Sequence, residues 1–198
     1  MKKSLIVAMA VTTLLVACGQ KEEKQEEPKS GIEALQQLAD KAKNMQNGEP
    51  VDPVDFRKLK ELLPEAIAGF KRTEASGEKE GAMGFTISRS EASYKGDGDE
   101  SLKLEILDTG GIAGVATMAL AAWTMADIDK ETPNGYEKTT TLEGYKAYEK
   151  YSSQDKSGEL NVLVADRYVV NVSGNNVSME QLKSVLADLD IEKLAELK

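Results

Sequence analysis

LNVLVADRYVVNV, residues 160–172, is the stretch that decides the fold. Two runs rich in β-branched and aromatic residues, 160–164 and 168–172, flank Ala165-Asp166-Arg167. Such runs favour β-strands, and a short polar segment between them favours a turn. We therefore predict a β-hairpin here, and its apolar composition places it at the centre of a sheet.

Two further hairpins are predicted on the N-terminal side of this stretch. Residues 136–142 and 145–151 meet at Glu143-Gly144, which is a turn signal. Apolar residues alternate with small or polar ones in two earlier segments, which flank the polar loop 95–100; they are Met83, Phe85, Ile87, Leu102, Leu104 and Ile106. Alternation of this kind predicts antiparallel strands with one face in water.

Helices are predicted at both ends of the sheet segments. Apolar residues recur at helical spacing over 32–45, and Asp52-Pro53 is typical of a helix start that Pro64 would end. The inward-facing residues of that second helix are Phe56, Leu59, Leu62 and Leu63. Near the C-terminus, Ser178 and Gln181 have the spacing of a capping box. A stripe of Leu182, Val185, Leu186 and Leu189 follows, with Val177 as a hydrophobic staple and Asp190 as the cap of a final helix.

The order of these elements predicts an α+β protein, with an antiparallel sheet of about six strands packed with helices. The predicted organisation is a signal peptide (1–17), a lipidated cysteine with a flexible acidic tether (18–31), N-terminal helices (32–64) and an α+β domain (65–198). This element order resembles the PsbP/Mog1-type sandwich fold, which several small bacterial envelope lipoproteins use. A fold resemblance alone does not imply a function.

The N-terminus carries the most specific motif. Lys2 and Lys3 precede an apolar segment, 5–16, which is too short to span a bilayer and has the shape of a secretory signal. It ends in Leu15-Val16-Ala17-Cys18, which resembles the lipobox of bacterial lipoproteins. The resemblance implies that the Cys18 thiol receives a diacylglycerol, that cleavage occurs before Cys18, and that the new amino group is acylated.

The lipobox also implies a location. The acylated Cys18 would anchor the chain in a lipid bilayer, and residues 19–31, which have no apolar residue beyond Pro and Gly, would form the tether. The residue after the cysteine is Gly19. Lipoproteins that are retained in the inner membrane generally have Asp at this position. The expected location is therefore the cell envelope, on the periplasmic face of the outer membrane. In a cell with one membrane, it would be the outer face of the plasma membrane.

Composition narrows the possible functions. The formal net charge is −9, and it becomes −11 once Lys2 and Lys3 leave with the signal, which argues against nucleic acid as a partner. Histidine is absent, and acylation of Cys18, the only cysteine, would leave no free thiol, so the mature chain would lack the commonest general base and a thiolate nucleophile. We therefore predict no catalytic residues, no metal site and no cofactor.

Residues 112–126 form the unusual segment. Thr117 and Thr124 are its only polar residues, and a helix that is apolar nearly all round is either buried or meets a partner. One interpretation is a central core helix. The other is a face that takes a partner protein or an apolar ligand, with Met118, Trp123 and Met125 as the candidate contacts.

Other motifs have structural explanations. Asp108-Thr109-Gly110 resembles the active-site motif of aspartic proteases, but no second copy supplies the paired carboxylate, so a helix cap is favoured. The glycines at 110, 111 and 114 lack the spacing of a phosphate loop. Acidic residues in the 95–100 loop, namely Asp97, Asp99 and Glu100, lack the full calcium-loop pattern. Asn171 and Asn176 match the glycosylation pattern and are assigned to a strand and a turn.

These observations favour a non-enzymatic envelope lipoprotein that acts as a binding or accessory module for another envelope protein. The alternative is a carrier or sensor that holds a small apolar ligand between sheet and helix, which would need an enclosed pocket of ~300 Å³ or more. An enzyme of unrecognised type is a remote third possibility, which would need paired buried carboxylates in one cleft.

Overall fold

The computed structural model describes residues 51–82, 85–110 and 122–197. Within these residues, one antiparallel sheet has nine strands in the order β1-β2-β3-β4-β9-β8-β7-β6-β5. The strands are β1 (Ala66–Ile67), β2 (Phe70–Ala82), β3 (Phe85–Lys95), β4 (Ser101–Asp108), β5 (Asp129–Thr132), β6 (Gly135–Leu142), β7 (Tyr145–Ser152), β8 (Ser157–Val164) and β9 (Tyr168–Asn175). The helices are α1 (Phe56–Glu61), α2 (Met179–Asp188), α3 (Ile191–Glu196) and a 3₁₀ helix, Ala122–Met125.

The stretch at 160–172 forms the predicted central hairpin. Strand β9 is the fifth of nine in the sheet and pairs with β8 on one side and β4 on the other. Val162 lies opposite Val170, and both are completely buried. The predicted β6–β7 and β3–β4 pairings are confirmed as well.

The prediction of an α+β domain with about six strands is wrong. The protein is mostly sheet, and the helices of the described residues are short. The unpredicted strands are β1, which has two residues and lies at one edge, β2, which β1 pairs with only at Phe70 and Lys71, and β5 at the other edge. Every residue of β5 is exposed, and β2 is rich in Lys, Arg and Glu. Charged edges discourage association with other sheets, but they carry no apolar alternation for a sequence pattern to detect.

The two faces of the sheet have different surroundings. The helix face is covered by α1 over β2 and β3 and by α2 and α3 over β8 and β9. It carries the core, which includes the fully buried Leu104, Ile106, Leu160, Val162, Val170 and Val172. The outer face carries the alternate residues of the same strands, such as Lys103, Glu105, Glu159, Asn171 and Ser173. Helices α1, α2 and α3 therefore form one layer on a single sheet, and the 3₁₀ helix contacts β7 on the outer face.

Small side chains on β2 and β3 make room for α1. Ser88, Ser90 and Ala92 are buried on the helix face of β3, and a Cβ added at Gly77 would lie 2.6 Å from Cδ2 of Phe56. Ile87 alternates with these buried residues and so lies on the outer face. Of the predicted apolar stripe, Ile87 therefore does not face α1, the side chain of Phe85 is not described, and Met83 lies outside the described residues.

Helix α1 begins later than predicted. Asp55 is its N-cap and accepts a hydrogen bond of 2.8 Å from the Arg57 N–H, so the start is not at Asp52-Pro53. Leu59 and Leu63 are buried as predicted. The helix predicted over 32–45 lies outside the described residues.

The C-terminal prediction is confirmed. The Ser178 hydroxyl accepts from the Gln181 N–H at 3.2 Å, and the Gln181 side chain accepts from the Ser178 N–H at 2.8 Å. The predicted stripe, Leu182, Val185, Leu186 and Leu189, is buried. Asp190 caps α3 through the Lys193 N–H.

The predicted helix at 112–126 falls largely outside the described residues, which resume at Ala122 with the 3₁₀ helix. Among the residues that the structure describes, no helix is both long enough and apolar enough to cross a membrane.

Candidate functional site

The strand register arranges the outer face of β5–β9 in rows. The first row, the small-residue row, is one line of directly paired residues: Thr132, Gly135, Ser152, Ser157 and Asn175. The adjacent line, the charged row, consists of Lys130, Glu137, Lys150, Glu159 and Ser173. Every strand from β5 to β9 thus contributes one residue to each row.

A groove of 420 Å³ lies over these two rows, and all of their residues line it. It crosses five strands, which corresponds to about 19 Å at the usual separation between neighbouring strands. The groove opens on the face away from α2 and α3. Its depth follows from the small size of Ser152, Ser157 and Ser173 along its floor.

The backbone beneath the groove packs closely against the helix side. A Cβ at Gly158 would lie 2.9 Å from Cδ1 of Leu182, and one at Gly174 would lie 2.7 Å from Cγ2 of Val177. These glycines let α2 and its N-terminal staple approach the sheet without an intervening side chain. The floor of the groove is therefore fixed from behind by the core.

Opposite charges alternate along the charged row. Lys150 Nζ lies 3.4 Å from Glu137 Oε1, and Lys130 Nζ lies 3.8 Å from Glu137 Oε2. Lys150 also lies directly opposite Glu159 across the β7–β8 pairing. Because the pairs are partly exposed, their contribution to stability is small, and they can exchange hydrogen bonds with a ligand.

Several polar side chains of the groove have unused hydrogen-bonding capacity. Within the described part of the chain, the side chains of Ser157, Ser173 and Asn175 make no hydrogen bond to another residue. Each can both donate and accept. The groove therefore offers neutral donors and acceptors beside paired charges.

A third row continues from the groove toward an aromatic pair. Tyr148 lies opposite Asn161 and next to the charged row. Burial raises the pKa of Tyr148, and the nearby carboxylates of Glu137 and Glu159 raise it further. Trp123 stacks on Tyr148 with ring centroids 6.2 Å apart and an interplanar angle of 21°.

Of the residues predicted to contact a partner, the structure describes the side chain of Trp123, and it does not line the groove. Trp123 is 9% exposed and lies against Tyr148, so little of its surface is accessible. Met118 and Cys18 lie outside the described residues. Met125 ends the 3₁₀ helix, and its side chain is not described.

Asp108 is a buried carboxylate that connects separate segments of the chain. It is completely buried, and its oxygens accept hydrogen bonds from the N–H groups of Val54 at 2.7 Å and Gly110 at 2.8 Å. Arg167 forms a two-pronged ion pair with it at 2.9 and 2.7 Å. The carboxylate is fully engaged and joins the N-terminal segment to the central hairpin, which explains the Asp-Thr-Gly sequence without proteolysis.

A row of Lys79, Ser88 and Asp108 on the helix face brings together residue types found in serine hydrolases. Ser88 is completely buried, and its hydroxyl makes no hydrogen bond in the structure. Lys79 donates to the Pro53 carbonyl at 3.2 Å instead. No substrate could reach this hydroxyl, so the row is part of the packing beneath residues 52–54.

Glu149 is the second buried carboxylate, with 1% of its side chain exposed. Lys183 of α2 approaches it to 2.8 Å, and Lys138 approaches it to 3.5 Å. The Tyr136 hydroxyl donates to it at 3.1 Å. These contacts fasten α2 to strands β6 and β7, and they satisfy the charge of the carboxylate.

The remaining motifs have local structural roles. The Gly98 N–H donates to Glu100 within the 95–100 loop, and the described residues contain no group of three or more candidate metal ligands. Asn171 lies in β9 and donates to Glu105 at 2.7 Å. Asn176 adopts the left-handed conformation of a turn, with φ of 55°.

The groove was not predicted from the sequence. Its only sequence signal is the period-two recurrence of polar residues, Ser157 with Glu159 and Ser173 with Asn175, between the buried positions of β8 and β9. That pattern identifies a face in contact with water. Which residues meet across strands depends on the register, which the sequence does not specify by itself.

Comparison of the chain with protein-family models, with curated proteins and with solved structures finds no match. The resemblances to bacterial lipoproteins and to the PsbP/Mog1-type fold therefore rest on the sequence alone.

Proposed function

We propose that this chain is a membrane-anchored lipoprotein of the bacterial envelope and acts as a non-enzymatic binding module, with the groove on the outer face as its binding surface. The observation that carries the proposal is the asymmetry of the sheet. Helices α1, α2 and α3 all pack on one face, while the other face, where the 3₁₀ helix contacts β7, presents a 420 Å³ groove lined by partly exposed polar groups. Such concave sites with convergent polar groups are where ligands bind.

The location follows from the N-terminal motif. Leu15-Val16-Ala17-Cys18 resembles a lipobox, and the polar segment 19–31 is suited to hold a domain away from a bilayer. Gly19 favours the outer membrane, with the domain in the periplasm. A domain on such a tether would search for a partner near the membrane surface.

The groove favours a polar ligand over the apolar one that a carrier would hold. Between the sheet and α2, fully buried residues such as Leu160, Val172 and Leu182 fill the space. Trp123 is buried against Tyr148, so it presents little surface to an apolar ligand.

A photocrosslinking amino acid tests the binding surface in living cells. Placed at Glu159, in the charged row, it should form adducts with envelope components in the lipid-anchored protein. Placed at Ser184, which is exposed on α2, it should form none above background. Equal labelling from both positions, or labelling from Ser184 alone, would contradict the assignment of the outer face.

A further inference from the structure

We infer that the groove binds a neutral, hydroxyl-rich glycan strand, which lies across strands β5–β9 rather than along them. The inference rests on the proposed function and names the chemistry of the ligand. Three properties of the groove support it: its charge balance, its hydrogen-bonding groups and its repeat distance.

The charges that line the groove cancel. Lys130 and Lys150 are balanced by Glu137 and Glu159, although the whole chain has a net charge of −9. An anionic ligand would meet the carboxylates and the negative field of the chain, and a cationic ligand would meet the two ammonium groups. A neutral ligand would be repelled neither by the carboxylates nor by the ammonium groups.

The hydrogen-bonding groups match hydroxyls. A sugar hydroxyl donates one hydrogen bond and accepts others, as the side chains of Ser157, Ser173 and Asn175 also do. Beside them, Glu137 can accept from a hydroxyl while Lys150 donates to its neighbour, and hydrogen bonds to charged groups are the stronger kind. An apolar ligand would leave these groups unpaired, which is unfavourable.

The repeat distance of the groove also matches a glycan. Neighbouring strands lie about 4.8 Å apart, and each strand from β5 to β9 offers one residue in each row. An extended β-1,4-linked glycan advances by a similar distance with every hexose ring. A strand of four rings would therefore fill the groove with one ring for each step between strands.

The test uses the full lipidated chain in detergent micelles. Calorimetry would measure its binding to β-1,4-linked N-acetylglucosamine oligomers, from monomer to hexamer, and to β-1,4-linked oligomannuronate, which is anionic. Affinity should rise with each ring up to the tetramer and then level off, and the anionic oligomer should bind at least about tenfold more weakly, a difference of about 1.4 kcal/mol.

A pair of substitutions localises the binding. Ser157→Leu together with Ser173→Leu fills the floor and removes two hydroxyls, so the tetramer should bind at least about tenfold more weakly. Ser76→Leu, on the outer face of β2 and away from the groove, is the matched control and should leave binding unchanged. Circular dichroism should show that all variants remain folded.

The outcomes separate this inference from the proposed function. Equal binding by the double variant, stronger binding of the anionic oligomer, or no binding of any oligomer would overturn the glycan assignment. If Glu159 then still crosslinks to an envelope protein in cells, the binding surface stands and its ligand is a protein. If Glu159 forms no adduct either, both proposals are wrong.

Discussion

At the scale of single residues, Arg167 illustrates how much depends on one buried ion pair. Its side chain is 15% exposed, its partner Asp108 is completely buried, and their hydrogen bond raises the pKa of Arg167. The same arginine donates to the Asp52 carbonyl at 3.5 Å, so it contacts both the sheet and the segment that enters it. A buried carboxylate without its partner is strongly unfavourable.

Arg167→Met should therefore lower the free energy of unfolding by about 3–5 kcal/mol, because Asp108 would remain buried with an unpaired charge. Arg57→Met is the control, since it breaks an ion pair on the surface: the side chain of Arg57 is 71% exposed and that of its partner Asp55 is 52% exposed. The urea midpoint of the control should stay at the wild-type value. Similar midpoints for both variants would show that the Asp108 pair does not hold the N-terminal segment in place.

At the scale of elements, the turn between β8 and β9 contains a residue that is poorly suited to its backbone conformation. Ala165 and Asp166, in the turn between β8 and β9, both have positive φ, at 51° and 52°. Positive φ at both central residues is what a turn needs to match the twist of the two strands. The left-handed conformation is strained for alanine and easier for asparagine. The sequence placed this turn correctly but does not use the residues that favour it.

Ala165→Asn should raise the free energy of unfolding by about 0.5–1 kcal/mol, because asparagine tolerates the left-handed conformation. Ala165→Val should lower it, since a β-branched residue is poorly suited to positive φ. Thermal melts of the two variants test the pair of opposite shifts. Shifts in the same direction would mean that side-chain contacts at this exposed position outweigh the backbone conformation.

The elements that could be predicted are those with a buried face or a local cap. Strands β8 and β9 follow from their β-branched residues, and α2 follows from its capping box. Strands β2 and β5 could not be predicted, because β5 is an edge strand and β1 leaves most of β2 unpaired on one side, and such positions favour charge over apolar alternation. The start of α1 was misplaced because Asp52 and Asp55 are both plausible caps, and only the packing of Phe56 over Gly77 selects the second.

The candidate site depends on information of longer range. Ser157 and Ser173 look like ordinary solvent-facing residues in the sequence, and they line one groove only because β8 pairs with β9 in one register. The prediction that nucleic acid is not a partner rests on composition alone. The proposed glycan rests on neighbours that are far apart in the sequence, such as Lys130 and Glu159.

At the scale of the whole molecule, tyrosines tie the segment before β1 and the C-terminal end of the described chain to the sheet. The Tyr94 hydroxyl donates to the Pro64 carbonyl at 3.1 Å, and the Tyr168 hydroxyl donates to the Leu197 carbonyl at 2.8 Å. Burial raises the pKa of each to about 12 from its ordinary value of 10.0. Tyr136, which donates to Glu149, also has a pKa raised to about 12, chiefly by burial.

These shifts predict a loss of stability at high pH. In the unfolded chain these tyrosines release their protons near pH 10, while the folded chain retains them to about pH 12. The unfolded state therefore binds fewer protons in that window, so the free energy of unfolding is intact below pH 10 and falls as pH rises toward 12. Urea titrations with tyrosinate absorbance would measure the slope. Tyr168→Phe should make it shallower, and an unchanged slope would contradict the role of this residue.

The last prediction concerns the attachment of the domain to the membrane. Cys18→Ser removes the thiol that would carry the diacylglycerol, so the chain should lose its acyl groups in mass spectra and should no longer be cleaved at this position. Stable anchoring needs more than one acyl chain, and the acidic domain would not adsorb to anionic lipid by itself. The melting temperature should not change, because the core that the described residues form lies within residues 54–194. Ser30→Ala in the tether is the control and should keep both the acyl groups and the membrane fraction. If native Cys18 carries no lipid, the proposed envelope location is wrong. The groove on the outer face would still be the candidate binding surface, but the protein would act in another compartment.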